Sequence, residues 1–166
     1  SSGNSLANLY RDAYSLIYRA NQVLFFAEDF AGESKLNIVA EAKALRAMAH
    51  FDLVKSFGKI PTQTSDANAS LGVAYVITFD PNIEPVRETV GEVYNKIITD
   101  LRDAAADINA SNPVGRLNKD AVNVLLSRVY LYMGQWQNAL DAANAVSTAV
   151  ASRDNIVGVW EDSSQA

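Results

Sequence analysis

The stretch GRLNKDAVNVLLSRVYLYMGQWQNALDAAN, residues 115–144, does most to constrain what this chain can fold into. It consists almost wholly of helix-forming residues, broken once at Gly134 and restarted with Trp136. A glycine that turns through positive φ ends one helix there, and too little chain follows to separate it from the next. Two amphipathic helices joined this tightly pack antiparallel, and close approach needs small side chains where they cross. Ser127 and Ala139 are placed to supply them, with Tyr130 filling the groove between neighbouring hairpins and Trp136, Ala139, Leu140, Ala143 and Val146 on the inner face of the last helix.

Leu126, Ser127, Tyr130, Gly134, Trp136 and Ala139 follow the order of the tetratricopeptide pattern. The pattern fails at its opening Trp, where Asn123 stands, and at its later aromatic, where Ala143 stands. No second copy recurs at a fixed period, so the repeats are degenerate. Upstream, Leu9, Ala13, Leu16, Ala20, Val23 and Ala27 form one stripe and predict a helix over about 6–28. Ile38, Ala42, Leu45, Ala49 and Leu53 predict a second over 34–57, closed by Gly58 as a left-handed cap and by Pro61. Thr89 and Glu92 form a capping box for a third, whose stripe runs Val90, Val93, Tyr94, Ile97, Leu101, Ala104, Ala105 and Ile108. A fourth begins near Asn118. The fold class is therefore all-α, built from antiparallel helical hairpins stacked as an α-α superhelix in one domain over 1–166.

One segment departs from that plan. Residues 59–88 form a loop of about thirty residues with three prolines and an apolar patch, LGVAYVITF. Loops of this length in a compact domain are usually functional or disordered. The patch is expected either to form a short strand or to pack on the helices.

Composition removes several function classes. A net charge of −5, with Lys and Arg scattered among Asp and Glu, disfavours nucleic acid. The absence of cysteine removes disulfides, thiol nucleophiles, thiolate metal sites and a lipidated cysteine within this chain. Apolar runs such as 73–79 are too short to span a bilayer. The eight glycines never cluster into a phosphate loop, and no metal-ligand spacing occurs, so no cofactor and no catalytic residue is assigned. The lone His50 reads as a packed ring. Asp100, Asp103 and Asp107 read as a solvated helix face. Glu41 and Arg46 read as ties between the second helix and its neighbours. Sugars lay their C–H faces on exposed rings, and the long loop brings Tyr75, Phe79, Asp80 and Asn82 close together, with Trp160 a further candidate in the tail. For Tyr75 and Phe79 the simpler role is to pin the loop to the helices. The tyrosines on helices, Tyr10, Tyr14, Tyr18, Tyr94, Tyr130 and Tyr132, are expected to pack.

Four segments, in order, resemble the N-terminal half of the SusD/RagB family of outer-membrane nutrient-binding lipoproteins. They are NLYRDAYSLIYRANQVL (8–24), EAKALRAMAHFDLVKSFGKIP (41–61), RETVGEVYNKIITDLRDAAADI (87–108) and the quoted 115–144. The resemblance implies capture of an oligosaccharide, or in some relatives a peptide, without turnover, and its delivery to a SusC-like TonB-dependent transporter at the cell surface. Family members are several times longer and carry a lipid anchor on a cysteine that this chain lacks, so the chain reads as a piece of a longer protein. The alternative is a tetratricopeptide-like adaptor that docks other proteins. The long loop argues against it, because adaptor solenoids have short connections.

Overall fold

The computed structural model describes residues 2–147, with side chains from Ser5 onward. Five helices run in order: α1 Ser2–Phe25, α2 Lys35–Phe57, α3 Val90–Asp107, α4 Lys119–Tyr132 and α5 Trp136–Asn144, with short 3₁₀ turns at Phe26–Asp29 and Ala67–Ala69. Each packs on the next, so that α2 lies between α1 and α3, and α4 between α3 and α5. The described residues contain no strand beyond one isolated antiparallel bridge, Leu71 with Thr89. The all-α hairpin architecture is as the sequence predicts.

The central helix is enclosed by its neighbours, and its composition shows why. Ala40, Ala42, Ala44, Ala47 and Ala49 let α1 and α3 approach it, while Phe51, Leu53 and Val54 fill the core. An enclosed helix is apolar around most of its circumference rather than along one stripe. The α3 stripe is buried as expected, from Val90 through Leu101 to Ala104 and Ile108. Its capping box is formed: Thr89 Oγ1 accepts from Glu92 N, and Thr89 N donates to Glu92 Oε2 at 2.9 Å. Glu41 ties α2 to the segment before α4, accepting from Arg116 Nε at 2.8 Å and from Leu117 N at 3.1 Å.

The last hairpin turns at Gly134 with φ +70°, and Ser127 Oγ donates to Ala139 O at 2.9 Å across the helix crossing. Its outer surface corrects the expectation. Ala139 is buried, but Trp136 is 66% and Leu140 53% exposed, and Ala143 faces solvent. Among the described residues, α4 is the main body α5 rests on, and that contact uses the small residues. Gly58 is also corrected. It is extended, at φ −120° and ψ 173°, and is no left-handed cap. Glycine suits the position for a different reason: a Cβ there would sit 2.9 Å from the Val54 carbonyl oxygen.

Candidate functional site

Asp100 departs from the solvated face assigned to it. Along α3 it turns toward α2, where Arg46 grips it in a buried two-point pair, Nε to Oδ2 at 2.7 Å and Nη2 to Oδ1 at 2.8 Å. Fork-on-carboxylate geometry of this kind is among the strongest hydrogen bonding a protein makes. Asp103, one turn on, pairs with Lys43 at an exposed rim, and Asp107 is exposed.

Around this pair the helices seize the apolar patch of the long loop. Residues 73–79 run extended across α1, α2 and α3 and are held by side chains instead of strands. Tyr14 on α1 donates to Ala74 O at 3.0 Å. The Asn21 amide, also on α1, donates to Val76 O at 3.0 Å and Thr78 O at 3.2 Å. His50 on α2 is fully buried; its Nδ1 faces the Arg46 carbonyl at 2.9 Å and must carry the proton, leaving Nε2 to accept from Val76 N at 3.0 Å. Both ring nitrogens are thus committed to the neutral form, and burial pushes the pKa down to about 4. Tyr75 stacks on His50 with centroids 3.9 Å apart and donates to Asp100 Oδ2 at 2.7 Å. Burial, reinforced by the Asp100 charge, drives its phenol far above the ordinary range, so it stays a donor.

The outer side of the held segment forms one wall of a cleft of about 620 Å³ whose other wall is α1. Tyr10, Tyr14 and Tyr18 line the helix side, and Val76, Thr78, Asp80 and Pro81 the loop side. A second hollow of about 610 Å³ adjoins it, sharing Thr78, Asp80 and Ile83 and bounded by Phe25, Ile77 and Phe79. Tyr10 and Tyr18 are 47% and 41% exposed. Rings bordered by a few polar side chains (here Arg11, Thr78 and Asp80) suit a polyhydroxylated ligand of low charge.

The structure separates the loop residues singled out from sequence. Tyr75 is 7% exposed, with both its ring and its hydroxyl occupied, and so stands behind the wall. Phe79 is half-buried and packs on Tyr18, Phe25 and Phe26, with centroids 4.8, 5.7 and 6.0 Å away. Asp80 and Asn82 are exposed in one turn, Asn82 N donating to Asp80 Oδ1 at 2.8 Å. Trp160 lies outside the described residues. Tyr10 and Tyr18 pack as expected, Tyr10 on Tyr14 and Phe57 and Tyr18 on Phe79, and the part of each left exposed also flanks the cleft. The signal was present: Tyr10, Tyr14 and Tyr18 recur every four residues, one aromatic stripe beside the apolar one. Among the described residues no His, Asp or Glu group could hold a metal ion, and no helix is long and apolar enough to cross a membrane.

These features define a helical-repeat platform bearing an open aromatic cleft. The family described as SusD-like, starch-binding and associating with the outer membrane, matches residues 2–131, and the chain belongs to it. A SusD-like protein of Bacteroides ovatus is 26% identical over 139 residues, covering 81% of this chain and 24% of the relative. A solved SusD superfamily protein of Bacteroides vulgatus superposes with a TM-score of 0.83 at 29% identity, covering 92% of this chain and 37% of that one. A laminarin-binding SusD-like protein superposes with a TM-score of 0.70 at 25% identity, covering 88% and 31%. The chain thus spans about a quarter of its curated relative and about a third of the solved ones.

Proposed function

We propose that this chain is the helical-repeat part of a glycan-binding protein in an outer-membrane nutrient-uptake system. The protein captures an oligosaccharide at the cell surface and hands it, unaltered, to a SusC-like TonB-dependent transporter. The family match over residues 2–131 carries this reading. The relative that binds laminarin supports the ligand class, and the aromatic cleft between α1 and the loop supplies a place for it. Tyr10 and Tyr18 give the stacking surfaces. Asp80, Asn82 and Arg11 satisfy ligand hydroxyls, and Phe79 closes the adjoining hollow. Tyr75 supports the wall from behind. The lipid anchor belongs to sequence outside this chain, and the helices serve as scaffold and as docking surface for the barrel.

Affinity electrophoresis across a panel of neutral polysaccharides tests this. Retardation by at least one polysaccharide, weakened by Tyr18→Ala and by Asp80→Ala, is the expected result. Retardation by none would move the assignment to a peptide ligand.

A further inference from the structure

Asn21 is buried, and every hydrogen-bonding atom of its side chain is used. Its Nδ2 donates to Val76 O and Thr78 O, two residues apart on the extended segment, at 3.0 and 3.2 Å. Its Oδ1 accepts from Arg46 Nη1 at 2.8 Å. The two carbonyls demand the NH₂ group and the guanidinium demands the oxygen, so the amide can sit only one way round. Arg46 is itself fixed by the two-point grip on Asp100. A chain of hydrogen bonds, buried from α3 through α2 to α1 and part-buried at its end, therefore runs to the backbone of the cleft wall. Carbonyls 76 and 78 point at Asn21. The residue between them, Ile77, points away and is 59% exposed. Asn21 acts as a single rung of a missing neighbouring strand, fixing both the height and the register of the wall.

We propose that Asn21, backed by Arg46, is a positioning residue for the glycan cleft: it sets the register of residues 76–80 and thereby where Thr78 and Asp80 face the ligand. The proposal rests on the reading of that cleft as the glycan site. It assigns this role to a residue that borders the adjoining hollow but whose amide is spent on the wall's backbone and on Arg46, and it names what shapes the loop side of the site. Asn21→Ala removes both donors. Asn21→Asp is harsher, because a carboxylate would then face two carbonyl oxygens. Asn21→Gln keeps the amide on a stem one carbon longer and should recover part of the function.

The decisive comparison is with Val129→Ala, a cavity-making change in α4 at a fully buried position whose side chain makes none of the hydrogen bonds that hold residues 73–79. In the full chain, with the polysaccharide that retards the wild type, Asn21→Ala should weaken binding roughly tenfold or more, equivalent to losing about 1.4 kcal/mol. Val129→Ala should leave affinity within about twofold while lowering the melting temperature. Wild-type affinity in Asn21→Ala, or an equal loss in both variants, would overturn the proposal. A second readout needs no ligand. Exchange of the Val76 amide, which is bonded to His50, should quicken at least tenfold in Asn21→Ala and Asn21→Gln should restore part of the protection, with no comparable local change in Val129→Ala. If no polysaccharide retards the wild type, the glycan reading fails, and the Val76 exchange rate still decides whether Asn21 sets the wall. Loss of helical circular dichroism in every Asn21 variant would show a residue required for the fold at large, and would also overturn the proposal.

Discussion

Residues 73–79 have no regular secondary structure, yet four hydrogen bonds from helix side chains hold their backbone. The α4–α5 hairpin is regular throughout, yet it turns Leu131, Trp136 and Leu140 to solvent, each about half exposed or more. In the first region order comes from buried polar groups that each need a specific partner. In the second it comes from backbone hydrogen bonds and small side chains, which leave the outer face unconstrained. A segment is therefore fixed by how many of its polar atoms have buried partners, and helical geometry is only one way of providing them.

The most severe way to break this contrast is Arg46→Ala. It strands the Asp100 carboxylate in the core and releases the Asn21 oxygen, and removing one partner of a buried pair costs about 3–5 kcal/mol. Urea unfolding should show this together with rapid proteolysis in the long loop; a loss under about 1 kcal/mol would mean that the network does not hold the loop.

Acid probes the same region without mutation. His50 is held neutral in the folded state with a pKa of about 4, below the ordinary value of 6.5, so between those values the unfolded chain binds the extra proton. Stability from this group is complete above pH 6.5 and is lost as pH falls toward 4, by on the order of 3 kcal/mol. Unfolding midpoints measured across that window should fall with pH, and His50→Gln should flatten the slope. Equal slopes in the two proteins would show that the ring is not kept neutral.

The hairpin responds to different changes. Gly134→Val places a β-branched residue at φ +70°, with its Cβ 3.1 Å from Thr62 Cγ2. A cost of about 1–3 kcal/mol in thermal unfolding is expected, with Gly134→Ala less affected. An unchanged melting temperature would mean that the turn tolerates another conformation. Trp136→Ala, by contrast, should fall within about 0.5 kcal/mol of wild type despite the size of the side chain, because the ring is 66% exposed. The smallest effect belongs to Tyr94. Its hydroxyl is buried without a hydrogen-bond partner among the described residues, so Tyr94→Phe should be neutral or slightly stabilising in the same assay. A clear loss there would reveal a partner for that oxygen.

The helices were legible because each carries its own evidence. The α3 stripe and its Thr89–Glu92 box lie within one stretch of chain, and so does the Gly134 turn. The candidate site was legible only in part. The loop was marked by its length and its apolar patch, and Phe79, Asp80 and Asn82 lie on it. Tyr75 and Asp100 could not be placed, because each depends on a partner 25 to 54 residues away in sequence. Spacing put Asp100 in line with Asp103 and Asp107, but one turn of α3 separates a buried carboxylate from exposed ones. Tyr10 and Tyr18 were visible as a stripe, and nothing local said that part of each ring would stay open beside the loop.

By itself the amino-acid sequence determined the all-α hairpin architecture and the turn at Gly134, since periodicity, caps and turn chemistry act over a few residues, and four of its segments carried the resemblance to the family. The tertiary structure decided which polar side chains are buried together, how Asn21, Arg46, His50 and Asp100 hold an irregular segment, and that a cleft opens beside it. Those outcomes depend on groups brought together from α1, α2, α3 and the loop, and a burial cost is settled only when all the partners arrive.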